Sequence, residues 1–197
     1  MNDYENMSDE QLVQLSLKDQ DCFYYLMKRY DIKILRYIKR LTTVSQEKAE
    51  DIIQEVFIKV YRNLNGFNRK LKFSSWIYQI AHNEIINQYR KTKLRLATIP
   101  LNIEDQANLI DSISDTIEIN GAYENLENAE KVRNALAELP DKYREILILR
   151  YLEDKSYDEI SDILRKPPGT VATQINRAKV SFKKIAGRHQ LNTGIVK

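Results

Sequence analysis

Cysteine, glycine and proline are scarce in this chain of 197 residues, which contains 1, 5 and 4 of them respectively. The single cysteine, Cys22, excludes an internal disulfide framework and a zinc site built from several cysteines, and it fits a reducing compartment. So few glycines and prolines disfavour a β-sandwich or barrel. The longest aliphatic run, residues 146–149, is far shorter than the ~20 residues that span a bilayer. We therefore expect a soluble, cytoplasmic and mostly helical protein.

Motifs that carry catalysis are also missing. The two histidines, His82 and His189, are far apart in sequence, and neither lies in a metal-ligand spacing. The glycine-rich phosphate loops and the nucleophile-elbow motif are absent. Glu50 and Asp51 are adjacent on a predicted helix, so they do not face each other as a catalytic pair would. The sequence thus predicts no catalytic residue, metal, cofactor or small-molecule substrate.

The charge is distributed unevenly along the chain. Residues 1–96 contain 17 basic and 12 acidic side chains. Residues 97–130 contain 8 acidic side chains and no basic one, and residues 131–197 contain 14 basic and 8 acidic side chains. A single charged run is by default a solvated segment. Two basic segments separated by a purely acidic one indicate binding to a polyanion at both ends.

Helical periodicity dominates the first half of the chain. Apolar residues recur at steps of three and four along residues 23–41 and 49–64. Residues 8–11 have the pattern of a capping box that opens a short helix, and residues 73 to about 94 form another helix after a break at 65–68. Four helices with short connections predict a compact bundle.

The second half contains a polar segment and then four more helices. Between residues 97 and 126 the periodicity fades, and Pro100 and Gly121 interrupt the segment, so we expect an acidic linker that orders on a partner. The helices that follow are predicted at about 127–138, 141–152, 157–164 and 168–185. The predicted fold is all-α, with two small helical domains at 1–96 and 127–190 joined by the linker at 97–126.

The last two predicted helices have the layout of a helix-turn-helix, with a tight connection at 165–167. Side chains outside the apolar stripe of the second helix could reach base edges or phosphates, namely Thr173, Asn176, Arg177 and Lys179. From Leu164 to Lys197 there are 8 basic residues and no acidic one, which is an electrostatic footprint for DNA. The alternative is a plain helical hairpin with a solvated face.

The helix predicted around residues 46–64 has an isoleucine on its polar side. Opposite the apolar stripe lie Asp51, Gln54, Glu55 and Ile58. An isoleucine among acidic and amide side chains indicates a protein contact, although one exposed isoleucine is also normal.

The helix predicted to begin at Phe73 carries the largest number of side chains suited to binding nucleic acid. A polar stripe runs along it, formed by Gln79, Asn83, Asn87 and Arg90. The loop before it holds an aromatic residue with polar and basic ones, namely Phe67, Asn68, Arg69 and Lys72. Amides with a basic flank beside such a loop could bind single-stranded nucleic acid. For Trp76 we favour core packing, because it shares an apolar face with Phe73, Ile77 and Ile80.

Several of these segments together resemble one protein family. Residues 51–61, DIIQEVFIKVY, resemble a signature helix of the extracytoplasmic-function (ECF, group 4) sigma factors of bacterial RNA polymerase, and residues 73–83, FSSWIYQIAHN, resemble the next signature. The promoter-binding C-terminal domain of the family is similar to residues 139–140, 157–160 and 167–171. The resemblance covers roughly residues 8–95 and 127–187, in the family's order.

The resemblance implies partners and site residues. Core RNA polymerase, through its β and β′ subunits, would bind Asp51, Gln54, Glu55 and Ile58. The minus-ten promoter element would meet Lys59, Phe67, Asn68, Arg69, Lys72, Gln79, Asn83 and Arg90, with Asn83 and the loop capturing a flipped base. The minus-thirty-five element would meet Gly169, Thr170, Thr173, Asn176, Arg177 and Lys179. The resemblance further implies no catalytic activity, an acidic linker that threads polymerase channels, and regulation by an anti-sigma factor.

Two other functions fit parts of the sequence. A stand-alone helix-turn-helix regulator would bind duplex DNA without polymerase, but it leaves the polar stripe of residues 79–90 unexplained. An enzyme lacks any candidate nucleophile, base or metal set.

Overall fold

The computed structural model describes the backbone of residues 3–98 and 124–189 and the side chains of residues 4–91 and 131–189. Every regular element in these ranges is a helix, which confirms the predicted all-α fold class. The described residues form two compact units, one with the helices up to residue 98 and one with most of the residues from 124 onward. None of the described helices combines the length and hydropathy needed to cross a membrane. Most of the predicted linker, residues 99–123, lies outside the described residues.

The first unit is a bundle of four α-helices with short 3-10 turns at Asp3–Asn6, Gln20–Cys22 and Leu64–Gly66. The helices are α1 (Asp9–Ser16), α2 (Phe23–Leu41), α3 (Gln46–Arg62) and α4 (Phe73–Thr98). Helix α4 continues past the predicted end near residue 94. The predicted capping box is present, because the Ser8 side chain accepts a hydrogen bond from the Gln11 backbone while the Gln11 side chain accepts one from the Ser8 backbone.

The core of the first unit lies where α2, α3 and α4 meet. The apolar stripes predicted from the sequence are buried there, with Ile34, Ile38 and Val56 fully excluded from solvent. The ring of Tyr37 on α2 contacts that of Tyr78 on α4, with centroids 5.1 Å apart. Aromatic side chains bury large areas, and a tilted pair of rings such as this one adds to the stability of the helix contact.

Asp9 of the N-terminal helix α1 binds two side chains of α2. Its carboxylate pairs with the Arg29 guanidinium at 2.5 Å and accepts a hydrogen bond from the hydroxyl of Tyr30. Burial of Tyr30 and its bond to Asp9 raise the pKa of the tyrosine hydroxyl well above its ordinary value. The hydroxyl therefore stays protonated and remains a donor to Asp9.

The helices after residue 123 are α5 (Glu124–Ala137), α6 (Asp141–Leu147), α7 (Tyr157–Leu164) and α8 (Pro168–Arg188). All of them belong to the second unit except the last three residues of α7, Asp162–Leu164. Helices α5 and α8 extend beyond the predicted bounds at 127 and 185. The predicted helix at 141–152 was wrong in its second part, because a π-helical turn replaces the α-helix at Ile148–Leu152. The Glu153 amide donates to the Ile148 carbonyl five residues earlier, at 3.0 Å, which widens the helix.

Arg144 closes the C-terminal end of α5. Its guanidinium donates to the carbonyls of Leu136, Ala137 and Leu139 at 3.0–3.2 Å, and it pairs with Asp141 at 3.3 Å. The last carbonyls of a helix have no partner within the helix, and a cation there also complements the helix dipole. One arginine of α6 thus joins two helices at the start of the second unit.

Candidate nucleic-acid and partner interfaces

The second unit contains the predicted helix-turn-helix. Helix α7 begins with a capping box between Ser156 and Glu159 and ends at Arg165, whose backbone is left-handed with φ 51° and ψ 48°. The Ser161 hydroxyl donates to the Lys166 carbonyl at 2.5 Å, and the Lys166 amide donates back to the Ser161 carbonyl at 3.1 Å. Helix α8 then starts at Pro168, where a missing N–H costs nothing. These bonds fix the direction in which α8 leaves the turn.

Helix α8 has one buried and one exposed face, as the sequence predicts. The buried stripe consists of Val171, Ile175, Ala178, Phe182 and Ile185. On the other side Gly169, Thr170, Thr173, Asn176 and Arg177 are exposed, while Lys179 is half-buried. The Thr173 hydroxyl donates to the Gly169 carbonyl at 2.9 Å. The exposed face therefore offers hydroxyl, amide and guanidinium groups along the first three turns of the helix.

The C-terminal end of α8 is paired with an acidic side chain. Glu138, at the end of α5, pairs with Arg188 at 2.9 Å and with the His189 ring at 2.5 Å. The hydrogen bond from His189, followed by the charge of Arg188, holds the pKa of the Glu138 carboxyl below its ordinary value. The N-terminal turns of α8, which carry the exposed polar side chains, have no acidic residue in their own sequence.

The outer face of α3 displays the four residues predicted to contact a protein. Asp51, Gln54 and Glu55 are exposed, and Ile58 exposes 42% of its surface among them. The opposite face is buried in the bundle. The structure therefore brings these four side chains onto one accessible surface of a rigid helix.

Helix α4 presents part of the predicted polar stripe to solvent. Asn83, Asn87 and Arg90 are exposed. Gln79, by contrast, is only 9% exposed, so its amide is not on the open surface. The open part of the stripe begins one turn later than predicted.

The loop before α4 is held by an aromatic cluster. Phe67 is buried, with its ring 5.0 Å from that of Trp76 and 5.7 Å from that of Phe73. This agrees with core packing for Trp76. Asn68, Arg69 and Lys72 are exposed around the cluster. The Arg69 guanidinium donates to the Gln14 side chain at 2.8 Å, and the Asn68 carboxamide accepts from the Lys70 amide at 3.0 Å.

Lys59, predicted to contact DNA, forms an ion pair with Glu84 of α4. The Glu84 side chain is 3% exposed and also accepts a hydrogen bond from Gln88 at 3.0 Å. Sequence reasoning missed both this pairing and the capping role of Arg144. Lys59 and Glu84 are 25 positions apart, and no local pattern signals that two such residues face each other.

The described part of the chain has no arrangement suited to metal binding. No group of three or more His, Cys, Asp or Glu side chains in it is placed to hold an ion. Cys22 is buried, and desolvation is the main cause that raises the pKa of its thiol. The surfaces described above offer hydrogen-bonding groups, charged groups and the exposed side chain of Ile58.

Comparison with known proteins identifies both units. The sequence model of Sigma-70 region 2 matches residues 26–95, and that of Sigma-70, region 4 matches residues 129–182. The chain is 34% identical over 182 residues to the ECF RNA polymerase sigma factor SigW of Bacillus subtilis (strain 168), covering 91% of this chain and 97% of that protein. It is 33% identical over 180 residues to the ECF RNA polymerase sigma-E factor of Escherichia coli (strain K12), covering 89% of this chain and 92% of that protein.

A solved structure shares the fold. The sigma factor RpoE from Bartonella quintana, crystallised with the anti-sigma factor NepR, aligns with a TM-score of 0.65 at 19% identity, over 84% of this chain and 96% of that one. The sequence relatives and the two matched regions point to the same assignment. The chain therefore belongs to the ECF sigma factors and directs promoter-specific transcription initiation by RNA polymerase.

Proposed function

We propose that the outer face of α3 is the surface through which this sigma factor binds core RNA polymerase, at the β and β′ subunits. The observation that carries the assignment is Ile58, exposed among Asp51, Gln54 and Glu55. An exposed isoleucine gains free energy when a partner covers it, and the surrounding polar groups supply direction and specificity. This face is also rigid, because its opposite side is buried in the bundle.

The first unit further provides a site for the melted minus-ten strand. Asn83 and Arg90 on α4 are exposed, and so are Asn68, Arg69 and Lys72 on the loop. A base inside the duplex hides its Watson–Crick edge, so an amide side chain can read it only after the base has left the stack. Gln79 and Phe67 are buried and Lys59 is ion-paired, so we assign direct contact with the strand to the exposed residues.

The second unit reads the minus-thirty-five element in the major groove. Its helix-turn-helix presents Thr170, Thr173, Asn176 and Arg177 on the exposed face of α8, with Gly169 and Lys179 at the margins. Amide and guanidinium groups at the start of a recognition helix are the usual readers of base edges. In this scheme residues 1–96 and 127–190 are the two DNA-binding domains, and residues 97–126 are the acidic linker between them.

The protein would act as a specificity subunit without catalysis of its own, in the cytoplasm where the polymerase works. We also propose that an anti-sigma factor controls it. The support is the solved relative of the same fold, the sigma factor RpoE, which was crystallised with the anti-sigma factor NepR. A factor of that kind would have to cover either the α3 face or the DNA-binding surfaces.

The decisive experiment is run-off transcription with purified core polymerase, this protein and fragmented genomic DNA from its host. We expect new discrete transcripts that require the protein, and their start sites give the promoter sequences. Asn83→Ala should then slow open-complex formation on such a promoter while binding to core polymerase is unchanged. Equal loss of both activities would count against the assignment of Asn83. Failure of the parent protein to co-elute with core polymerase would refute the proposal that the outer face of α3 binds it.

A further inference from the structure

The ion pair between Lys59 and Glu84 joins the two helices that carry the proposed surfaces of the first unit. The Glu84 carboxylate is almost fully buried, with 3% of its side chain exposed, whereas 42% of Lys59 is exposed. Glu84 also accepts a hydrogen bond from Gln88, one turn further along α4, at 3.0 Å. A buried carboxylate persists only where its charge is paired and its oxygens are hydrogen-bonded. The pair is thus a fixed point between α3 and α4.

The position of this fixed point relates it to function. Lys59 directly follows Ile58 of the polymerase surface, and Glu84 directly follows Asn83 of the strand-binding surface. Consecutive residues of an α-helix point about 100° apart, since one turn takes about 3.6 residues. The ion pair with Lys59 places Glu84 on the flank of α4 that meets α3, about 100° around the helix from Asn83, where its attachment resists rotation of α4 about its own axis.

We propose that Lys59 and Glu84 form a positioning pair that holds the Asn83 carboxamide where the minus-ten base is captured; this inference rests on the proposed function of Asn83. Side-chain tips lie about 5–6 Å from a helix axis, so a rotation of α4 by about 10° moves the carboxamide by about 1 Å. Donor–acceptor distances of protein hydrogen bonds span only about 0.5 Å. A small rotation therefore suffices to lose the bond to the base. Lys59 acts on DNA through Glu84 and α4 and does not touch the strand.

The test removes both charges at once, because removing one would leave the other buried and unpaired and could unfold the domain. Lys59→Met with Glu84→Gln keeps the size of both side chains and leaves an oxygen to accept from Gln88. The control is the exposed pair of the same unit, Lys28 and Glu5, which are 2.9 Å apart, changed to Lys28→Met with Glu5→Gln. Each variant is assembled with core polymerase on a promoter found by run-off transcription and carrying 2-aminopurine in the minus-ten strand.

We expect the double variant at Lys59 and Glu84 to unfold within a few degrees of the parent and to bind core polymerase within about twofold. Base capture, followed by 2-aminopurine fluorescence, should fall about tenfold, which is the loss of one well-formed hydrogen bond to a base. The control variant should match the parent in all three measurements. A double variant that captures the base as well as the parent overturns the positioning role.

A cycle with Asn83→Ala separates this inference from the proposed function. If the pair acts through Asn83, adding Asn83→Ala to the double variant should cost little more than the double variant alone. Fully additive losses mean that the pair acts elsewhere and refute the inference, while the role of Asn83 stands. If Asn83→Ala has no effect in the parent, the proposed role of Asn83 and the positioning pair both fall.

Discussion

Removing the side chain of Arg144 should loosen the beginning of the second unit without touching its proposed DNA-binding face. The guanidinium donates to three carbonyls around the end of α5, and only 20% of the side chain is exposed. Hydrogen bonds from charged donors each contribute about 1.5–3 kcal/mol, but water replaces part of this contribution once the side chain is removed. We therefore expect Arg144→Ala to lower the local free energy of unfolding by about 2 kcal/mol.

Hydrogen exchange of the full chain, followed by mass spectrometry, measures this loss directly. A loss of 2 kcal/mol corresponds to about 30-fold faster exchange of the protected amides of α5. In thermal unfolding the same loss lowers the transition of a unit of this size by roughly 10 °C. Arg144→Lys keeps the charge but not the planar fork, and it should fall between the parent and the alanine variant. Unchanged exchange in Arg144→Ala, or full rescue by lysine, would refute the capping argument.

Three further outcomes follow from the proposed surfaces and from the charge cluster at Glu138. Ile58→Asp should weaken binding to core polymerase by about tenfold or more in a co-elution titration, because a charge replaces an apolar contact, while Ile32→Asp on α2, exposed to 58%, should not. Arg177→Ala should reduce by about one the slope of promoter affinity against salt concentration; an unchanged slope removes Arg177 from the interface. Glu138→Gln should reduce the loss of stability in acid. A carboxyl with a lowered pKa stabilises the fold above about pH 4.5 and loses this contribution as the pH falls through its folded pKa. A free energy of unfolding that falls with decreasing pH as steeply as in the parent contradicts this expectation.

Local signals in the sequence predicted the helices well. The capping box predicted at Ser8 is formed, because its partner lies only three residues away and needs no tertiary contact. The buried stripes of α3 and α8 follow the periodicity of the sequence for the same reason. The exposed face of α8 could be predicted as the complement of its stripe.

Features that depend on distant contacts could not be predicted in this way. Phe67 in a loop looked available to DNA, but it packs on Trp76, which only the folded loop brings near. The π-helical turn at Ile148–Leu152 has a mostly apolar sequence that fits an ordinary α-helix equally well. The pairing of Lys59 with Glu84 depends on how α3 and α4 cross, and periodicity carries no information about the crossing.

The left-handed backbone at Arg165 has a consequence for how this protein can be changed. A residue with a side chain loses about 1–2 kcal/mol of stability in that conformation, whereas glycine adopts it freely. The turn that directs α8 therefore carries a cation where glycine would relieve the strain. The direction of α8 is thus set by a strained turn, and Arg165→Gly should make that turn easier to form without changing its course.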